Sequence, residues 1–164
     1  NPGRRAAIIA ADADDAPAFT TEQRMRSVVV GRGDSASVAR QYLREQYTDE
    51  NGVLHRQVCH GAMPFKVVDD WYFEAVQFVK GRLRTHHQNA LATCAGCAAL
   101  YSLARSTTDA ATIESLLAET IEADTERVIL RVVLYGRRHE LWFTGRHALD
   151  LQAVLRVQGG ARVR

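Results

Sequence analysis

The sequence predicts an α+β fold in which helices and strands occupy separate stretches of the chain. Apolar residues recur at helical spacing in three stretches, whereas β-branched and aromatic residues form two pairs of short runs around polar turns. A pair of cysteines separated by two residues lies between these parts and predicts a metal knuckle. We therefore expect an N-terminal helical arm, a central ββα module pinned by zinc, and a C-terminal helix, hairpin and helix.

Length and composition exclude several classes of protein. The chain has 164 residues, 46% hydrophobic and 24% charged, which predicts one domain or two very small ones with a modest core. Apolar runs extend over only a few residues, whereas a membrane span needs about 20, so we expect no membrane partner. Three cysteines are an odd number, which argues against a secreted disulfide framework and predicts a reduced, cytoplasmic location.

The N-terminal part, residues 1–48, predicts a helical arm or linker. Residues 4–15 are rich in alanine and favour a helix, which Pro17 ends. Residues 35–47 have the spacing of an amphipathic helix. The apolar side of this second helix is expected to comprise Val38, Tyr42 and Leu43.

The middle part, residues 49–106, predicts a hairpin followed by a helix. Phe65 to Val68 has the composition of a strand, two aspartates form a turn, and Trp71 to Val76 is the expected return strand. A helix is expected over residues 98–105, directly behind the cysteine pair.

A basic stretch follows the hairpin. Acidic residues are absent from Ala75 through Thr108, so this window is locally positive. The planar guanidinium suits phosphate groups, and a phosphate-contacting loop is therefore one interpretation, an ordinary solvated loop the other. The candidate nucleic-acid-binding residues are Lys80, Arg82 and Arg84. The net charge of the whole chain is only +2 and does not by itself indicate a nucleic-acid partner.

The last part, residues 107–158, predicts a subdomain packed on the central module. Thr108 or Asp109 can cap its first helix, since both side chains accept hydrogen bonds from free amides. The expected elements are a helix over 107–122, strands over 127–135 and 140–144, and a helix over 147–157.

Cysteine spacing predicts half of a zinc site. Cys94 and Cys97 are separated by two residues, a spacing that turns both side chains towards one ion. Cys59 lies upstream, but the position three residues before it, where a second knuckle has its other ligand, is Arg56. Buried thiols and a redox pair are the alternatives, although the sequence around the pair lacks the βαβ context typical of redox motifs.

Longer motifs resemble a known family. HRQVCHGAMPFKVVDDWYFEAVQFV and the later NALATCAGCAALY resemble the C-terminal zinc-finger region of large bacterial proteins that carry a sacsin-type ATPase domain at their N-terminus. The resemblance implies a treble-clef-like module with structural zinc bound by Cys59, Cys94 and Cys97. Because Arg56 replaces the first cysteine of the family, His55 or His60 is the candidate fourth ligand, and we select His55. A metal-free site and a solvent or foreign fourth ligand are the alternatives.

The same layout is similar to the treble-clef core of HNH nucleases. Those enzymes need histidines to bind a metal and to activate water. The corresponding positions here hold Val76, Gln77 and Ala98. His86 and His87, on the basic loop, are then the candidate bases of a nuclease.

Together these features lead to three hypotheses about function. The first is a non-catalytic, zinc-stabilised recognition module of a larger ATPase-containing bacterial protein, with DNA or RNA as its partner. The second is a protein-interaction or homo-oligomerisation domain that offers the 127–135 strand as a free edge. The third is an HNH-type metal-dependent nuclease.

Overall fold

Three small antiparallel sheets and four α-helices make up the part of the chain that the computed structural model describes, residues 35–80 and 86–160. The predicted α+β class is confirmed. The expected helix over residues 4–15 lies outside the described residues. In chain order the elements are α1 (Ser35–Tyr47), β1 (Lys66–Val67), β2 (Asp70–Trp71), β3 (Glu74–Gln77), a 3-10 turn (His87–Asn89), β4 (Ala90–Thr93), α2 (Ala95–Leu103), α3 (Asp109–Ala118), β5 (Arg127–Leu134), β6 (Arg137–Thr144) and α4 (Gly145–Gly160).

The bounds of α1 agree with the sequence prediction, and Leu43 is buried as expected, but the rest of its buried side differs. Val38 is 46% exposed and Tyr42 is half-buried, whereas Ala39, Leu43 and Tyr47 are buried. These three residues are four apart, so they form one row along the helix, next to the row that we expected. The row packs against β4 and the 3-10 turn. This helix is therefore part of the core.

The expected return strand, Trp71 to Val76, is divided into two strands. Tyr72 still donates its amide to Phe65, which extends the pairing of β1 with β2. The carbonyl of Phe73 instead accepts a hydrogen bond from the Arg40 guanidinium of α1. Because Phe73 is also fully buried, the chain leaves the first hairpin there, and β3 pairs with β4.

The C-terminal helix, hairpin and helix are confirmed, although the turn of the hairpin and the first helix are both shorter than the sequence predicts. Thr108 caps α3, because its side chain accepts from the amide of Ala111. The strands β5 and β6 pair over eight residues each, around a two-residue turn at Tyr135 and Gly136. Both turn residues have positive φ, the geometry that matches the twist of a two-residue hairpin. Strand β6 therefore begins at Arg137, ahead of the expected 140.

Buried apolar side chains form two clusters. One lies between the β5–β6 hairpin and helices α2, α3 and α4, and the other lies beneath α1. Side chains along β5 alternate between exposed and buried, so one face of the hairpin covers the first cluster. None of the helices in the described residues is both long enough and apolar enough to cross a membrane.

Close backbone packing fixes the start of α4. A Cβ on Gly145 would lie 1.8 Å from the carbonyl oxygen of Thr125, so we expect Gly145→Ala to destabilise the fold by about 2 kcal/mol or more. The matched control is Gly96→Ala in α2, where a Cβ meets no atom within 4 Å. That change should be neutral or should stabilise by up to about 1 kcal/mol. Urea unfolding measures both, and equal midpoints would contradict the packing argument.

Candidate metal centre

Two elements bring the three cysteines together. Cys94 is the N-cap of α2 and Cys97 lies in its first turn, so the start of the helix holds two of the sulfurs. The third, Cys59, lies in the knuckle turn, which we define as residues 55–62. This turn is closed by a 2.9 Å hydrogen bond from the Arg56 amide to the Gly61 carbonyl. It needs a left-handed backbone at Gly61, where φ is +79°.

The three sulfur atoms fit one zinc ion. They all lie within 4.8 Å of one another, and the sulfurs of Cys59 and Cys94 are 3.7 Å apart. Two thiolates on a tetrahedral zinc, with Zn–S of about 2.3 Å, are separated by about 3.8 Å. All three cysteines are free thiols. Cys59, Cys94 and Cys97 can therefore hold a metal ion with little movement of the backbone.

Of the three thiols, Cys94 is the one whose pKa the cluster lowers, so it ionises first. Burial raises the pKa of Cys94, but hydrogen bonds from the Cys97 backbone and from neighbouring side chains, Arg56 among them, outweigh burial and lower that pKa. Burial and the hydrogen bond to Cys59 both raise the pKa of Cys97. A bound cation would remove this difference between the thiols, because it stabilises all three thiolates together.

The two histidines considered as a fourth ligand lie elsewhere. His55 places its Nε2 2.8 Å from Oδ2 of Asp49. The other carboxylate oxygen of Asp49 accepts from the backbone amides of Asn51 and Val53. His60 places its Nε2 2.6 Å from the carbonyl oxygen of Glu140 in β6. In residues 35–80 and 86–160, the cluster of ligand atoms contains the three sulfurs and neither imidazole. The described residues thus bring together three of the four expected ligands.

The candidate nucleic-acid-binding residues are only partly described. Arg82 and Arg84 lie outside the described residues. Lys80 is exposed, and its backbone amide donates to Asp109. It borders a cleft of about 270 Å³, to which Tyr101 and Arg105 also contribute. Arg105 is ion-paired with Asp109 and hydrogen-bonded to the Phe78 carbonyl, so among the described residues that line this cleft Lys80 is the charged one without an ion pair.

A buried polar residue positions the knuckle turn, and sequence reasoning missed it. Gln57 is fully buried, and its Oε1 accepts from the amide of Ala92 in β4 while its Nε2 donates to the Trp142 carbonyl in β6. Its backbone amide also donates to Ala92, at 3.0 Å. Gln57 therefore ties the turn that carries Cys59 to β4, the strand that directly precedes Cys94. A lone glutamine beside Arg56 gives no sequence signal for this role, since such residues are usually exposed.

The hydrogen-bond network continues from Gln57 to a fully buried histidine. Gln57 donates to the Tyr47 hydroxyl, which is 2.6 Å from Nδ1 of His147. Nε2 of the same ring is 2.7 Å from the carbonyl oxygen of Gln88. The network assigns the proton of neutral His147 to Nε2, so that Tyr47 donates to Nδ1. Burial lowers the pKa of His147 to about 4.

The histidines considered for a nuclease lie on the segment before β4. His86 is exposed, and the ring of His87 contacts Tyr42 edge to face, with 5.0 Å between centroids. Neither belongs to a cluster of metal-ligating side chains in the described part of the chain. Comparison with models of protein families, with curated proteins and with solved structures finds no match to this chain.

Proposed function

We propose that the chain is a non-catalytic recognition module whose fold is stabilised by structural zinc bound to Cys59, Cys94 and Cys97. The convergence of three thiols on one point, from segments 35 residues apart, supports this proposal. When bound, zinc supplies strong bonds that hold the knuckle turn against the start of α2. Free thiols persist in a reducing compartment, which is why we place the protein in the cytoplasm.

Metal analysis of the purified chain tests the zinc site. We expect about one zinc per chain, and three thiols that react with a thiol reagent only after a chelator is added. A chain purified under reducing conditions with no bound metal, and with all three thiols reacting at once, would contradict the proposal.

The partner that we propose is DNA or RNA, contacted through Lys80, Arg82 and Arg84. The exposed Lys80 beside its cleft and the lack of acidic residues from Ala75 through Thr108 support this choice. The resemblance to the zinc-finger region of large ATPase-containing bacterial proteins suggests that the module serves a longer chain.

Salt-dependent binding tests the nucleic-acid proposal. The double change Arg82→Ala with Arg84→Ala should weaken binding to duplex DNA about tenfold or more. It should also reduce the slope of log affinity against log salt concentration by about 2 in magnitude. Fluorescence anisotropy at several salt concentrations measures both quantities. Arg137→Ala with Arg138→Ala, at the exposed end of the β5–β6 hairpin, is the matched control. Equal losses in the two double variants would rule out a specific role for the loop.

Association through the edge of β5 is the second candidate. The segment after α2 already covers the C-terminal half of this edge, because Ser106 donates to the Val133 carbonyl and Tyr135 donates to that of Ala104. The N-terminal half, around the 44% exposed Ile129, pairs with no other strand among the described residues. A concentration-dependent mass in solution that Ile129→Lys abolishes would favour this candidate over nucleic-acid binding.

A DNA-cleavage assay tests the non-catalytic part of the proposal. We expect no cleavage with Mg²⁺ or Mn²⁺, since the positions that hold histidines in HNH nucleases hold Val76, Gln77 and Ala98. Cleavage that depends on the metal and is lost in a variant with His86→Ala and His87→Ala would establish the nuclease hypothesis instead.

A further inference from the structure

Arg56 holds the sequence position of the fourth ligand. A second knuckle has this ligand three residues before Cys59, and Arg56 stands there, in the same turn as Cys59, where it helps to lower the pKa of the neighbouring Cys94. A Cβ on Gly61 would lie 3.2 Å from Nη2 of Arg56, so the guanidinium packs directly under the knuckle turn. Its Nε is buried and has no hydrogen-bond partner among the described residues.

A guanidinium cannot coordinate a metal. It remains protonated in proteins and offers no acceptor lone pair. Within the part of the chain that the structure describes, zinc would have three protein ligands and hence an open coordination position, as in sites that bind water or substrate. Cys59 is exposed and Cys94 is half-buried, so solvent reaches the sulfur cluster.

The charges around the open position select the ligand. Zinc with three thiolates has a net charge of about −1, which disfavours a further anion, whereas the adjacent Arg56 brings the local charge to about zero. A carboxylate is both a zinc ligand and a good acceptor for a guanidinium fork. It would therefore satisfy the metal and the arginine at once.

We infer that the metal site binds an exogenous carboxylate, coordinated at the open position and hydrogen-bonded by Arg56. The inference rests on the proposed metal function. The carboxylate belongs either to a free small acid or to the side chain of a partner protein. Both sources share the same chemistry, and the probes below separate them.

The cobalt-loaded chain provides the test, because the visible absorption of Co²⁺ reports its ligands. Acetate is the probe for a free acid, and a blocked tripeptide containing glutamate is the probe for a partner side chain, each compared with chloride at equal ionic strength. We expect a saturable shift of the visible bands with carboxylate and none with chloride. The probe that binds more tightly identifies the source.

Three variants separate the role of Arg56 from general destabilisation. Arg56→Cys closes the site with a fourth thiolate, so the bands should move towards those of a four-thiolate site and stop responding to acetate. Arg56→Gln leaves the position open but removes the charge, so acetate binding should weaken about tenfold or more. His55→Ala is the control and should leave the titration unchanged, because its Nε2 bonds Asp49.

The outcomes distinguish this inference from the proposed function. A wild-type spectrum that changes with neither acetate nor the glutamate tripeptide would overturn the inference while leaving the metal site intact. A titration altered by His55→Ala would also overturn it, since the imidazole would then be the fourth ligand. Absence of cobalt uptake, equal in wild type and in Cys97→Ser, would overturn the proposed function itself.

Discussion

Replacing Cys97 with serine is expected to abolish metal binding and to lower the free energy of unfolding by about 4 kcal/mol. Structural zinc sites in small domains contribute more than this in total, but the present fold also has two apolar clusters that remain without metal. Neither strand of the β1–β2 hairpin has a buried side chain, so this part of the chain depends on the preceding knuckle turn being held against α2. Urea unfolding of the zinc-loaded chain measures the loss.

A chelator distinguishes loss of the metal from loss of a buried side chain. In the wild-type chain a chelator should reduce stability by nearly as much as Cys97→Ser does, since it removes the same bonds. In the variant it should have no further effect, because the two changes act on one interaction. Additive losses would show that Cys97 stabilises the fold through packing alone.

Stability is expected to fall by roughly 3 kcal/mol as the pH is lowered from about 6.5 to about 4, because of His147. Burial lowers the pKa of His147 from 6.5 to about 4. Between these values the unfolded chain binds a proton that the folded chain excludes, so acid favours unfolding. Well above pH 6.5 the imidazole is neutral in both states and contributes no pH dependence.

The histidine effect must be separated from acid release of the metal. Stability is therefore measured for wild type and for His147→Gln with a chelator present. Loss of zinc on protonation of the thiolates then cannot add to the change in stability with pH. His147→Gln should be less stable at pH 7, because Tyr47 and Gln88 lose a fitted partner, but its stability should change less between pH 6.5 and 4. Equal pH slopes in wild type and variant would show that other groups cause the acid sensitivity.

Local sequence signals account for the elements that were predicted well. α1 and the β5–β6 hairpin follow from periodicity and from β-branched runs, and the Thr108 cap follows from its side-chain oxygen. The division of the expected return strand could not be predicted, because the Arg40 contact that ends it comes from 33 residues away. Strand β4 was missed because its sequence, Ala90 to Thr93, lacks the composition typical of strands and forms in a fully buried site.

The candidate site was predictable to the same limited extent. Spacing alone identified Cys94 and Cys97, and the upstream thiol of Cys59 joins them in the structure. The partner of His55 is local, since the nearby Asp49 provides a carboxylate for its Nε2. The buried chain from Gln57 through Tyr47 to His147 joins residues up to 100 positions apart, which no local pattern reports.

The double attachment of Gln57 to Ala92 has a consequence for how metal is acquired. Bringing two thiols from segments 35 residues apart to one ion normally carries the entropy of closing that loop. Here the paired backbone and the glutamine amide close it in advance, so the ion would meet a preorganised pair of sulfurs. Metal uptake by this chain should then be fast and should follow folding, with little ordering of backbone left for the ion to drive.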